Sequence, residues 1–234
     1  MNKLLQIDKN TPMVILTGAG VSAASGIPTF RGEGGLWNGK QASDIASVEQ
    51  ISTPEGMEEF WKFHNEYAKI MVSAKPNKIH HYLASLPNAT IITQNIDCLH
   101  QKAETRNLID LHGSIVRLKC IACESIELDT IQIHEKQPLC ELCGRPMRPD
   151  VVLFGEDYDL DKTHQIAIAM NNAALYIGIG TSGTVAIAQD LLIAAKEQGM
   201  YTIEFNTEVT RLTDLYDTSY HFPHSNEVLL NTFI

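Results

Sequence analysis

No apolar run in the 234-residue sequence approaches the ~18 residues that a membrane-crossing helix needs, so nothing in it reads as a membrane span. The opening MNKLLQIDKN has neither the long apolar stretch nor the small-residue cleavage site of a secretory signal, and the expected location is the cytoplasm. Positive charge is scarce: 18 lysines and arginines stand against 28 aspartates and glutamates, for a net charge of -10. A surface that neutralises phosphates along a nucleic-acid backbone is built the other way, so direct nucleic-acid binding is not expected. An acidic average attracts basic peptides, but mostly it keeps a protein soluble. Internal repeats, coiled-coil heptads and low-complexity runs are missing too.

What is present fits one large domain, or a domain with a small insertion, long enough to bury a core without disulfides. Of the five cysteines, four form two Cys-x-x-Cys pairs, Cys120/Cys123 and Cys140/Cys143, separated by sixteen residues. In a reducing compartment that spacing points to zinc, because two hairpin-like turns present four thiolates in a tetrahedron. Four sulfur ligands leave no open position for water or substrate, so the site is expected to be structural. Four reduced cysteines packed in a core is the weaker reading, since both pairs lie beside glycine, proline and charged residues. Cys98 is left over.

Four short runs rich in Val, Ile and Thr look like buried parallel strands: MVILTGAG (13–20), ATIITQNID (89–97), ALYIGIGTS (174–182) and MYTIEFN (200–206). Between the last two, VAIAQDLLIAAKEQG has helical spacing and a glycine to end it. Thr53-Pro54 opens a helix that carries Phe60, Phe63, Tyr67, Ile70 and Met71 on one face, and a second helix starts after Asn77. The predicted class is α/β, a Rossmann-like parallel sheet with helices on both faces plus a smaller zinc-binding and helical domain. The expected division is 1–35, 87–116 and 150–234 for the larger domain, with 36–86 and 117–149 forming the smaller one.

In open sheets of this kind ligands bind beyond the carboxyl ends of the strands, where this sequence places GAG, QNID, GTS and Asn206. Gly18-Ala19-Gly20-Val21-Ser22-Ala23 fits a G-x-G-x-x-G/A turn, whose glycines let backbone approach a pyrophosphate in front of a helix N-terminus. A glycine pair after a strand also makes an ordinary tight turn. No acidic residue ends the second strand in the usual ribose-binding place, which implies another way of holding the sugar. Gln94-Asn95-Ile96-Asp97 offers two amides and a carboxylate at one strand end, suited to a sugar and a carboxamide, although an Asn/Asp turn has the same composition. His112 follows LIDL and precedes Gly113, which exposes an imidazole at a strand end as a candidate general base. His64, His80, His81, His134, His164, His221 and His224 have no comparable setting and read as surface or packing residues.

Taken together, GAGVSAASGIPTFRG (18–32), TQNIDCLH (93–100), LHG (111–113), the two cysteine pairs, RPDVVLFGE (148–156), GTS (180–182) and the strand ending in Asn206 closely resemble the sirtuin family. The resemblance implies NAD-dependent removal of acyl groups from protein lysines, with NAD consumed, nicotinamide released and the acyl group left on ADP-ribose. It implies that His112 deprotonates a ribose hydroxyl, that Asn95 positions the ribose and a water, and that Asp97 and Ile96 hold the nicotinamide carboxamide. Phe30 would cover the reacting carbon and Arg31 would sit near phosphate and ribose. Gly18, Ala19, Gly20, Ala23, Thr29, Trp37 and Gln94 join the NAD-binding set, with Gly180, Thr181, Ser182 and Asn206 at the phosphates and adenosine ribose. Ser225 and Asn226 in YHFPHSNEV would approach the adenine. Val152, Leu153, Phe154 and Gly155 match the segment that pairs with substrate backbone as an added strand.

Within the family, GEGGLW (32–37) and QASDIAS (41–47) look like the branch of bacterial enzymes and removers of acidic acyl groups. That branch uses a Tyr and an Arg three residues apart; counting back from Pro76-Asn77, this sequence has His64 and Tyr67 there, with no Arg nearby. Weak activity on succinyl-lysine is the consequence, since a desolvated carboxylate needs a fixed charged partner. Two rival readings share parts of the pattern: mono-ADP-ribosyl transfer to a protein, and a nonenzymatic zinc-ribbon protein that senses a nucleotide.

Overall fold

A computed structural model describes residues 5–29, 42–128, 134, 136–222 and 232. Along the chain run β1 (Met13–Thr17), α1 (Val48–Ile51), α2 (Pro54–Ser73), α3 (Lys78–Ala84), β2 (Ala89–Thr93), α4 (Leu99–Lys102) and β3 (Leu108–Asp110). There follow β4 (Gly113–Cys120), β5 (Ile126–Leu128), β6 (Met147–Val151), α5 (Leu160–Asn171), β7 (Leu175–Ile179), α6 (Ala186–Glu197), β8 (Tyr201–Asn206) and β9 (Thr218–His221). A six-stranded sheet has the order β3-β2-β1-β7-β8-β9, all parallel, and a three-stranded antiparallel sheet has the order β5-β4-β6. No helix among the described residues is long and apolar enough to cross a membrane.

The large sheet is buried on both faces, which is why its strands read as unbroken apolar runs instead of alternating ones. On β1, Met13 and Ile15 join the cluster with Ile79 and Leu83 of α3, while Val14 and Leu16 join the one with Ile166 of α5 and Leu191 and Leu192 of α6. Successive side chains on a strand point to opposite faces, so this split follows from the pleat. Each fully buried Ile or Leu contributes roughly 1.5–3 kcal/mol. The strand order grows one way from β1 through β2 and β3 and the other way through β7, β8 and β9. The reversal opens a crevice at the carboxyl ends of β1 and β7.

Local chemistry starts the helices. Thr53 caps α2 by accepting from Gly56 N–H at 3.0 Å, with Pro54 in the first turn. Asn77 caps α3 through Ile79 N–H at 2.9 Å. The segment after β1 departs from expectation: Ala19–Ser25 is a 3-10 helix of seven residues, not the start of an α-helix. Gly26 ends it at φ +81° and Pro28 bars its continuation, so no longer helix has room to form. β9, a short strand on the sheet edge, was not foreseen either.

The small sheet packs against α2. Phe60, Trp61 and Met57 of that helix meet Leu118, Cys120, Cys140, Met147 and Leu153 in one buried cluster. This sheet starts at Gly113 and reaches Val151, so only Leu111 and His112 separate the two sheets. Gly113 lies at φ +86°, and a Cβ there would stand 2.0 Å from the Asp150 carbonyl oxygen. The junction beside His112 therefore requires glycine.

Candidate active site

Three glycines join the loops after β1 and β7. Gly20 N–H donates to the Gly180 carbonyl at 2.9 Å, and Gly18 N–H donates to the Ile179 carbonyl at 3.0 Å. A Cβ on Gly18 would come within 2.7 Å of Gly180 O, and one on Gly20 within 2.7 Å of Gly180 Cα. In this chain the glycine pair thus serves loop-to-loop packing as well as any approach to phosphate. Gly180 also sits at φ +59°, and its Cβ would meet Gly20 Cα at 2.8 Å. Gly180→Ala should cost about 2–4 kcal/mol from backbone strain plus overpacking. Thermal unfolding and NAD titration check this; unchanged stability and affinity would show that the loops tolerate separation.

The same loops are tied to the neighbouring strand ends. Thr181 receives a hydrogen bond on its carbonyl from Asn206 Nδ2 at 2.8 Å and one on its hydroxyl from Gln94 Nε2 at 3.0 Å. Asn206 Oδ1 accepts from Thr207 N–H at 2.9 Å, so its amide braces the loop. Ser182 and Thr184 hydroxyls lie 2.9 Å apart before α6. Gly20 and Ala23 are exposed, while Ala19 and Thr29 are half-buried.

Asn95 and Asp97 are almost wholly buried and share one partner. Ser22 Oγ donates to Asp97 Oδ2 at 2.6 Å and accepts from Asn95 Nδ2 at 3.2 Å. Asn95 Nδ2 also donates to the Gly18 carbonyl at 3.0 Å, which leaves the Asn95 oxygen as the group to accept from a ligand. Leu99 N–H donates to Asp97 Oδ1 at 2.9 Å. Burial pushes the Asp97 carboxyl up, and the Ser22 and Leu99 hydrogen bonds pull it partly back. His80, expected at the surface or in packing, is fully buried beside this group: Asn77 N–H donates to its Nδ1 at 3.2 Å, so Nε2–H faces Ser22 Oγ at 3.5 Å. Burial lowers His80 to about 4 and keeps it neutral. His100 packs edge-on against it, with Nε2 3.1 Å from Thr17 Oγ1.

His112 lies across the strand ends from that group. Its Nδ1 donates to the Gln94 carbonyl at 2.9 Å, an assignment forced by the acceptor-only oxygen, which leaves Nε2 to take a proton. The Tyr158 ring stacks on it at 5.8 Å, with the hydroxyl 3.5 Å from Nε2. Burial lowers the imidazole to about 4, against the opposing Gln94 contact and with help from the Lys162 charge. It lines an apolar cavity of about 310 Å³ together with Gln94, Ile96, Ile115 and, from α2, Phe60, Phe63, His64 and Tyr67. Val152, Leu153, Phe154 and Gly155 form another wall.

That wall is braced by a pair, buried Arg148 and half-buried Glu156, whose carboxylate also accepts from Leu153 N–H at 2.9 Å. Phe154 spends both backbone groups, its N–H on Ala46 at 2.8 Å and its carbonyl on Val48 at 3.0 Å. Val152 N–H is held by the His112 carbonyl at 3.0 Å. The Leu153 side chain faces the small-sheet core, whereas Phe154 and Gly155 are exposed.

The four cysteine sulfurs lie within 4.8 Å of one another, with Sγ–Sγ separations such as 3.5 Å for Cys120–Cys143 and 3.7 Å for Cys123–Cys140. A tetrahedron with Zn–S bonds of about 2.3 Å has edges of about 3.8 Å, so the donor set fits zinc with no ligand missing. Each turn closes through backbone hydrogen bonds, Cys120 N–H to Ser125 O and Cys140 N–H to Arg145 O. The site lies in the small sheet, apart from His112, as a structural site should.

Phe30, Arg31, Trp37, Ser225 and Asn226 lie outside the described residues. Gln94, Ile96, His112, His64, Tyr67 and residues 152–155 line the cavity, Gly18, Gly20, Asn95, Gly180, Thr181 and Asn206 are tied by hydrogen bonds at the strand ends, and the four cysteines cluster. Ser22, Asn77, His80, Arg148, Glu156 and Tyr158 were not singled out for these roles. Ser22 and Asp97 are 75 residues apart, and only the Pro-Asn pair before α3 gave a local hint of an anchored helix.

A profile of the Sir2 family matches residues 18–187. An NAD-dependent protein deacylase of Aquifex aeolicus is 38% identical over 214 residues, covering 89% of each chain. A Sir2 homologue solved in complex with NAD superposes with a TM-score of 0.84 at 36% identity, covering 93% of this chain and 87% of that one. A Sir2 protein solved with a deacetylated p53 peptide and 3'-O-acetyl ADP-ribose gives a TM-score of 0.83 at 32% identity, covering 94% and 91%.

Proposed function

The chain belongs to the Sir2 family, and from that premise we propose how its residues divide the work of an NAD-dependent protein deacylase. The protein removes acyl groups from lysine side chains of protein substrates, with NAD as co-substrate and zinc as a structural ion. In our reading 1–35, 87–116 and 150–234 make the NAD-binding domain, and 36–86 with 117–149 make the small domain.

An amide oxygen is a weak nucleophile, so the site must aim it at the sugar carbon and keep water out. The apolar cavity does both, holding the lysine stem between Phe60 and Phe63 on one side and Val152 and Phe154 on the other. Because the Phe154 backbone is already spent, an added peptide strand takes its hydrogen bonds from other backbone groups of 152–155. Asp97 and Ile96 hold the carboxamide of the departing nicotinamide, and the Asn95 oxygen accepts from a ribose hydroxyl. Nicotinamide leaves with the electron pair of its glycosidic bond as the acyl oxygen bonds to the sugar. His112 Nε2 then takes the proton of a ribose hydroxyl, which attacks the acyl carbon; the lysine amine leaves with the electron pair of its C–N bond and a proton, and one water adds to the acyl carbon so that the acyl group departs as an ester of ADP-ribose. Gly18, Gly20, Gly180, Thr181, Ser182 and Asn206 form the phosphate and adenosine end.

One observation carries this reading: a neutral imidazole with its tautomer fixed stands where the apolar cavity meets the polar strand ends. Nicotinamide release across peptides bearing different acyl groups tests it. Acetyl and longer uncharged acyl groups should react. Among the described residues lining the cavity there is no arginine or lysine, and the Glu156 carboxylate is already taken by Arg148. An unpaired buried carboxylate costs about 3–5 kcal/mol, so succinyl-lysine should react ~10²–10⁴-fold more slowly than acetyl-lysine. Equal kcat/KM for the two would refute the uncharged-acyl assignment.

A further inference from the structure

Two carboxylates and two cations alternate beside the segment that bears His112. Lys162 Nζ of α5 lies 2.8 Å from Asp110 Oδ1 and donates to the Asp110 backbone carbonyl at 2.6 Å. Arg117 Nη1 of β4 lies 2.8 Å from the other Asp110 oxygen, and its Nε lies 2.8 Å from Asp150 Oδ2 on β6. All four side chains are at least three-quarters buried. The chain of charges joins the last residue of β3 and its covering helix to the small sheet, across a link of two residues. One of those two is His112.

From this geometry we propose that Lys162 is a positioning residue for the general base: it grips Asp110 by both backbone and carboxylate and so fixes where the next turn presents the imidazole. The inference rests on the role of His112 given above. Asp110 works as a two-sided anchor. Its remaining carboxylate oxygen passes the constraint through Arg117 to Asp150, which pairs with Ser114 two residues beyond His112. Both ends of the His112 segment are held by one ionic chain. The segment's own bonds add to the grip, since Leu111 N–H donates to Thr93 O at 3.0 Å and the His112 carbonyl accepts from Val152.

Lys162 also acts on the imidazole through space. Burial is the main reason His112 stays neutral, and the Lys162 cation works in the same direction. The other titratable groups around the base are Tyr158 stacked on it, Asp110 two residues before it, and Glu156, His64 and Tyr67 across the cavity. Lys162 is the cation among them, so replacing it has a sign of its own. Removing a cation raises the imidazole pKa, and the acid limb of kcat must move to higher pH.

The test compares Lys162→Met, Lys162→Gln and Lys162→Arg with the unmodified chain, reading deacetylated peptide and released nicotinamide between pH 4 and 8. Misplacing a catalytic group by about 1 Å costs up to ~10²-fold, so Lys162→Met should lose about ten- to a hundredfold in kcat. KM for NAD should change little, and the acid limb should shift upward. Lys162→Gln retains a donor to the Asp110 carbonyl without the charge; it should show the same shift and serves if the Met variant fails to fold. Lys162→Arg should restore both rate and pH profile. Folded Met and Gln variants with an unshifted acid limb and normal kcat would overturn the proposal. An unmodified chain that released no nicotinamide would instead count against the deacylase reading itself.

Discussion

Replacing His112 with alanine should lower peptide turnover by about 10²–10⁴-fold, the range a positioned general base supplies, while NAD still binds. The glycine loops, Asn95 and Asp97 make none of their contacts through the imidazole, so the nucleotide end stays intact. The Gln94 carbonyl loses its donor, at a cost of about 1–3 kcal/mol, within the 5–15 kcal/mol stability of an ordinary domain. Thermal unfolding separates that cost from the chemistry. The unmodified enzyme carries a second signature. An imidazole lowered to about 4 is about 99% neutral at pH 6, where an ordinary one near 6.5 is about a quarter neutral. Turnover should hold between pH 7.5 and 6 and fall only as pH drops toward the lowered value. A midpoint near 6.5, or near-normal turnover by His112→Ala, would remove His112 from this role.

Stripping zinc should have the next largest effect. Cys120 and Cys140 are buried in the cluster that seats Phe60 and Trp61 of α2, the helix that also lines the acyl cavity. Structural zinc contributes apparent binding energies of about 10–16 kcal/mol in small peptides. Loss of even a few kcal/mol lowers the melting temperature of a domain this size by roughly 10 °C. A strong chelator, or Cys140→Ala, should therefore destabilise the small sheet and abolish deacylation although no cysteine touches the reacting atoms. Restored zinc should restore activity to the chelated protein. Full activity in metal-free protein would show that the four sulfurs pack the small domain unaided.

These effects depend on features that were unequally visible in the sequence. The buried strands were legible because a parallel sheet covered on both faces needs continuous Val and Ile, as in MVIL and ATII. The thiolate pairs were legible because metal geometry dictates local spacing. His112 was visible as an imidazole between a strand and a glycine, and Gly113 proves to be required by the approach of Asp150. The Ser22 hydroxyl, by contrast, gains its meaning only when Asp97, Asn95 and His80 arrive from distant segments. The ionic chain through Lys162 and Arg117 was hidden for the same reason, since surface charge and buried anchor look alike in a sequence. The helix expected after Gly20 became a 3-10 turn because Gly26 and Pro28 left no room. Periodicity could not reveal which backbone groups of 152–155 were already spent, since that depends on Ala46 and Val48.

The most direct test of the account is product stoichiometry with one acetylated peptide and labelled NAD. One acetyl-ADP-ribose and one nicotinamide for each lysine freed is the predicted outcome. Label fixed on the peptide or the enzyme, with the acetyl group still in place, would contradict it.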